Sequence, residues 1–109
     1  MTTILVRLAF LFATIFVQAQ SFTVVQINAE WNDRNTIDLP FTIDGTKVIF
    51  GYLKDQSPSL QQNIKAVPVV ILYKDNQPIS QWNADLSFKL QVTREELLEQ
   101  IRIAINRHK

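Results

Sequence analysis

Two short apolar runs constrain this chain more than anything else in it: Phe-Thr-Val-Val-Gln-Ile at residues 22–27 and Val-Val-Ile-Leu-Tyr at residues 69–73. Both are rich in β-forming residues. The first stops at the turn-forming Asn28, and the second starts directly after Pro68. Each is expected to be a strand, and the continuous apolar character of the first marks it as buried. A sheet built on such strands needs cover on both faces, so the rest of the chain must supply helices.

Residues 47–53 (Lys-Val-Ile-Phe-Gly-Tyr-Leu) predict a further strand. Lys74-Asp75-Asn76-Gln77 predicts a hairpin turn, because Asp and Asn tolerate positive φ. Residues 78–82 then return as a fourth strand, placed at an edge because Pro78 has no amide hydrogen to share. A first helix is expected over residues 33–40, capped by Asn32 or Asp33 and ended by Pro40. Ser57-Pro58 opens a second, with Leu60 and Ile64 on one face. Thr93-Arg94-Glu95-Glu96 is a capping box for the last, whose apolar stripe is Leu97, Leu98, Ile101, Ala104 and Ile105. Residues 83–92 read as a loop, with the alternation of Phe88, Leu90 and Val92 leaving one more short strand open. The order β-α-β-α-β-β-α predicts an α/β fold with a four-stranded mixed sheet flanked by helices. A right-handed crossover makes the first two strands parallel, and the hairpin adds two antiparallel ones.

The end of the first strand carries Ala29-Glu30-Trp31, followed by the four-residue turn Asn32-Asp33-Arg34-Asn35 and, far downstream, Ala66-Val67-Pro68 before the next apolar strand. This arrangement resembles the thioredoxin family, where the turn reads Trp-Cys-x-x-Cys and the later proline is cis. Pro40, eight residues after Asn32, matches the proline that kinks the family's corresponding helix. The resemblance covers residues 22–82 and the final helix, and its most specific parts are residues 29–31 and 66–74. It implies a minimal thioredoxin-like fold, nearer glutaredoxin in size because the front strand and helix of larger members are missing. It also implies a cis bond between Val67 and Pro68 and a groove for an extended peptide. There the backbone of Val67 would pair with the peptide, Pro68 would hold the shape, Trp31 would form an apolar wall, and Asn83 would line the rim.

The departures from the family are chemical. Both cysteine positions are asparagine, Asn32 and Asn35, and the chain contains no cysteine at all. Gln26 stands where the family has a buried acid, and Asn28 where it has an aromatic. Asparagine supplies neither a nucleophile at neutral pH nor a redox couple. No other catalytic set replaces the thiols. His108 is the only histidine and lies at the tail. Asp33 and Asp38 are five apart, on different faces of any helix, and Asp44, Asp55, Asp75 and Asp85 sit in turn contexts. Two glycines in 109 residues make no phosphate cradle. The expectation is no catalytic residue, no metal and no cofactor. The chain then reads as a redox-inactive module that binds a protein or extended peptide. The alternatives are a disulfide oxidoreductase relative by descent alone, a bare scaffold, or a membrane-anchored structural domain.

That last alternative turns on residues 1–19. They hold one charge, Arg7, then an apolar run over residues 8–17 and a Val17-Gln18-Ala19 ending. A run of about ten apolar residues suits a secretory signal peptide and is short for a membrane span. The expected domain is residues 20–109, exported to the periplasm or secreted, and the competing readings are an uncleaved anchor or a buried first strand. Without Arg7, ten basic residues face ten acidic ones. That balance excludes a general binder of nucleic acid or of anionic membrane. With no disulfide available, stability rests on the core alone, which is small at this length.

Overall fold

A computed structural model describes residues 21–109, so the expected signal segment lies outside the described residues. Five strands form one mixed sheet: β1 (Phe22–Asn28), β2 (Thr42–Ile43), β3 (Thr46–Tyr52), β4 (Val69–Lys74) and β5 (Gln77–Asn83). Their order across the sheet is β2-β3-β1-β4-β5. β1 runs parallel to β3, and every other neighbouring pair is antiparallel. Two α-helices, α1 (Pro58–Asn63) and α2 (Arg94–Arg107), complete an α/β fold. No helix among the described residues is long and apolar enough to cross a membrane.

The sheet has one strand more than the four expected. The addition is β2, and its cause is the pair Asp44-Gly45. Both residues have positive φ, 50° and 78°, the conformation that a two-residue hairpin loop with the right twist requires. The turn folds Ile43 back onto Thr46 and Thr42 onto Lys47. Glycine meets the requirement without strain, and aspartate is among the few other residues that tolerate it. The second hairpin follows the same rule at Asp75 and Asn76, with φ of 51° and 68°, and puts β5 at the sheet edge as expected.

The helix expected over residues 33–40 is also corrected. A 3₁₀ segment, Glu30–Asn35, takes its place, and Asn32 lies inside it with φ −113° and ψ 19° rather than capping it. Beyond Asn35 the chain is extended, starting at Thr36 with φ −62° and ψ 134°. The reason is competition for the backbone. The buried side chain of Gln26 accepts from Ile37 N–H at 2.8 Å and donates to Ile37 C=O at 2.9 Å. Both polar groups of Ile37 are thus taken by a side chain, and no helical turn can include them.

Alternation along β1 and β4 supplies the two cores. Val24, Val70 and Leu72 face α2, packing with Leu97, Leu98, Ile101, Ala104 and Ile105. Ile27, Val69 and Ile71 face the other way, under Leu60 of α1 and Ile64 just beyond it. Ser57 caps α1 through its hydroxyl, with Pro58 at the first helical position. Residues 83–92 contain no strand outside the end of β5: Leu90 and Val92 pack on the α2 core, while Phe88 turns away with φ 62°.

The capping box of α2 forms as expected. Glu96 accepts from Thr93 N–H at 2.9 Å, and Thr93 Oγ1 accepts from Glu96 N–H at 3.1 Å. The Thr93 amide, and after it the Thr93 hydroxyl, hold the Glu96 carboxyl below its ordinary pKa. A carboxylate with a lower pKa folded than unfolded stabilises the folded state fully above its unfolded pKa, and the contribution is lost as pH falls through the folded value. The amide proton of Thr93 is therefore expected to titrate on the acid side of the usual glutamate range. A Glu96→Gln variant should keep the cap and lose that titration in NMR spectra. Titration unchanged in the variant would show that another group is responsible.

Candidate functional site

Val24, Gln26 and Asn28 alternate onto one face of β1, so the apolar face under α2 turns polar toward the strand's C-terminal end. Gln26, Asn28 and Asn32 are all buried, at 3 %, 0 % and 4 % exposure. Buried amides cost free energy unless hydrogen-bonded, and here each is. Asn28 Nδ2 donates to Asn32 C=O at 3.0 Å and to Thr36 Oγ1 at 2.7 Å. Asn32 Oδ1 accepts from Asn35 Nδ2 at 2.7 Å. Asn32 Nδ2 faces three acceptors: Asn28 Oδ1 at 3.0 Å, Val67 C=O at 3.1 Å and Phe88 C=O at 3.1 Å. Among the described residues no buried side-chain nitrogen or oxygen lacks a partner.

This cluster ties four pieces of chain together: the end of β1, the 3₁₀ segment, the start of β4 and the loop after β5. An amide does not titrate at neutral pH and cannot attack an electrophile. What the cluster does is hold shape. It consumes the Val67 carbonyl from inside, while the Pro68 carbonyl accepts from Ala84 N–H at 3.1 Å. The Val67–Pro68 bond is cis, and Val67 is 3 % exposed. Of the Val67 backbone expected to pair with an extended peptide, the carbonyl is therefore already engaged within the domain.

Trp31 is the exposed member of the set, at 69 %. Phe88 meets it edge to face, with ring centroids 5.0 Å apart and an interplanar angle of 89°. Beside Trp31 opens a cleft of about 250 Å³, bounded by Glu30, Tyr52, Lys54 and Gln61 among others. Lys54 pairs with Glu30, and the neutral Tyr52 hydroxyl donates to Asp33 Oδ1 at 3.1 Å. The bond to Asp33 raises the Tyr52 pKa, and the bond to Glu30 raises that of Lys54. Both keep their protons at neutral pH, so neither is a base. A wider cleft of about 430 Å³, with Phe41 and Phe50 in its lining, shares no residue with this one.

The structure thus brings Asn32, Asn35 and Val67 together in one network, with Pro68 buried next to it in the chain and Trp31 joined to it through Phe88. Asn83 stands apart. It is exposed, accepts from Gln81 Nε2 at 2.7 Å and lines a shallow depression with Asn63, Lys65 and Ala66. Sequence reasoning reads Gln26 and Asn28 as absences, the sites of a missing acid and a missing aromatic. In the structure Asn28 is the partner that makes Asn32 fit, and Gln26 holds Ile37 just beyond the motif. The signal was the spacing of Asn28, Asn32 and Thr36, four apart, following directly on a buried strand. The sequence marks Phe88 only within the apolar set Leu86, Phe88, Leu90 and Val92, as part of a short strand or a second candidate surface, and not as a partner of Trp31. Neither a family model nor a curated protein matches this chain, and the functional reading rests on its own geometry.

Proposed function

We propose that this chain is an exported, thioredoxin-like domain without redox chemistry that binds an extended peptide or protein segment at the Trp31 face. The observation that carries the reading is the contrast between two adjacent residues. Asn32 is buried and saturated with hydrogen bonds, while Trp31 presents 69 % of its surface to solvent. A nucleophile's position has become a structural one, and the aromatic wall beside it remains open. An exposed tryptophan offers a large, rigid contact area with little conformational entropy to lose, which is why tryptophan dominates binding hot spots. The thioredoxin-like part of the reading is supported by the parallel β1–β3 pair, the antiparallel β4–β5 hairpin and helices on both sheet faces. Recognition in this reading comes from side chains around Trp31, since the Val67 carbonyl is engaged inside the domain.

The test is selection from a library of random extended peptides on the purified protein. Selected peptides should shift tryptophan emission to shorter wavelength. They should also lose at least about tenfold in affinity when Trp31→Ala is introduced, the factor that corresponds to about 1.4 kcal/mol. A library that yields no peptide able to distinguish the two proteins would overturn the proposal.

A further inference from the structure

We infer that Phe88 is a built-in occupant of the Trp31 face, and that this face takes an extended peptide bearing an aromatic side chain, which enters by displacing the loop at residues 85–89. The inference rests on the peptide-binding reading above, and it adds the class of residue recognised and the competition that governs access.

Phe88 is in the left-handed region, φ 62°, where a bulky aromatic is a true outlier. Such a conformation persists only when surrounding contacts hold it. Two contacts outside the loop do so: the ring edge on Trp31 and the carbonyl that accepts from Asn32 Nδ2 at 3.1 Å. The second is readily released. A primary amide has two hydrogens, and Asn32 Nδ2 has three acceptors in range, so departure of Phe88 C=O leaves Asn28 Oδ1 and Val67 C=O to satisfy it. No buried donor is orphaned when the loop lifts.

Little else resists that motion. The loop's other hydrogen bonds are local: Asp85 Oδ1 accepts from Ser87 N–H at 2.8 Å and Ser87 Oγ at 2.5 Å, Phe88 N–H donates to Asp85 C=O at 3.0 Å, and the exposed Gln91 just beyond donates Nε2 to Ser87 Oγ at 3.4 Å and Lys89 C=O at 3.5 Å. They let residues 85–89 move as one unit between Ala84, bonded to Pro68, and Leu90, packed on the core. Leu86, at 91 % exposure, gives up almost no burial in the process, whereas Phe88, at 36 % exposure, gives up its contact with Trp31, which the incoming aromatic ring replaces.

Phe88 also shows what chemistry the vacated face accepts. It presents an aromatic ring perpendicular to that of Trp31 and, from the same residue, a main-chain carbonyl to an amide donor. An aromatic residue in any extended peptide presents the same two groups. The neighbouring Glu30–Lys54 pair is matched within the domain and Asp33 is hydrogen-bonded to the neutral Tyr52 hydroxyl, so the group this face reads in the inference is the aromatic ring and its carbonyl.

The experiment uses Phe88→Gly in the full chain. Glycine suits the positive φ, so the turn is retained while the occupant is removed. The probes are octapeptides of Gly, Ser and Thr carrying one central phenylalanine, or serine in its place, titrated by calorimetry so that the readout does not depend on Trp31. The phenylalanine peptide should bind Phe88→Gly about tenfold more tightly than wild type, the factor expected if the closed loop is populated about nine times in ten. The serine peptide should show no gain. Adding Trp31→Ala to Phe88→Gly should abolish the gain, and Leu86→Ser, on the same loop, should leave wild-type affinity unchanged. Circular dichroism melts establish that each variant is folded. Equal affinity in wild type and Phe88→Gly, an equal gain for serine, or a gain that survives loss of Trp31 would each overturn the inference. If library peptides bind wild type through Trp31 while Phe88→Gly gains nothing, the occupant fails and peptide binding stands. If no peptide binds either protein, both fail.

Discussion

An Asn32→Ala variant is expected to lose about 3 kcal/mol of stability, the sum of orphaned polar groups at a cost of about 1–3 kcal/mol each after partial hydration. The substitution removes the shared partner of Asn28 Oδ1, Val67 C=O and Asn35 Nδ2 at a site that is 4 % exposed. Asn35 is half-buried and can turn to water, but Asn28, at 0 % exposure, cannot. In a domain of this size such a loss lowers the Tm by roughly 12 °C or more. Asn35→Ala, which deletes one bond at a half-buried position, should cost only about 1 kcal/mol. Asn32→Asp should be at least as damaging as alanine, since it turns a carboxylate toward carbonyl acceptors. Chemical denaturation of the three variants checks the order. An Asn32→Ala protein within about 0.5 kcal/mol of the parent, the range of ordinary surface changes, would mean that the amide network is not what holds the turn to β4.

The double replacement Asn32→Cys with Asn35→Cys is expected to leave disulfide reduction at least about a hundredfold below that of an authentic thioredoxin. Loss of positioned acid–base assistance alone accounts for a factor of that order. Nucleophilic thiols need a depressed pKa, which a helix N-terminus or a nearby cation provides. Neither is present at position 32. The residue lies inside a six-residue 3₁₀ segment, it is buried, and Lys54 is paired with Glu30. Burial without a charge partner pushes a thiol pKa up. Gln26 supplies no proton either, because both ends of its amide are committed to Ile37. Turnover with a standard disulfide substrate, with and without Gln26→Asp, measures the effect. If the double variant alone matched the authentic enzyme, the surroundings of position 32 would be no obstacle to thiol chemistry.

These two expectations separate what was legible in the residues from what was not. The strands at 22–27 and 69–73 were legible because an apolar β-branched run has few other destinations. The cap at Thr93 and the hairpin at Asp75-Asn76 were legible because each depends on a handful of adjacent side chains. The second hairpin, at Asp44-Gly45, was equally local and carried the same turn chemistry. It was obscured by the expectation of a helix running up to Pro40.

The asparagines at 32 and 35, and the tryptophan before them, could be identified as a site by resemblance to a known motif. Their roles could not. A sequence shows that Asn32 lacks a thiol, but whether its amide is exposed or buried depends on Asn28, Asn35, Val67 and Phe88, residues up to 56 positions away. Contacts of that kind have no local signature, because each partner alone is an ordinary polar or apolar residue.

The sequence by itself determined the α/β class, the parallel and antiparallel strand pairs, the capped final helix and the absence of thiol chemistry. All of these follow from short-range periodicity, turn residues and composition. Only the tertiary structure decided that residues 36–40 stay out of a helix, that Asn28, Asn32 and Asn35 form an amide network, and that Phe88 lies on Trp31. The reason is physical: hydrogen-bond satisfaction of a buried group is settled by whichever chain segments the sheet brings together, not by its neighbours in sequence.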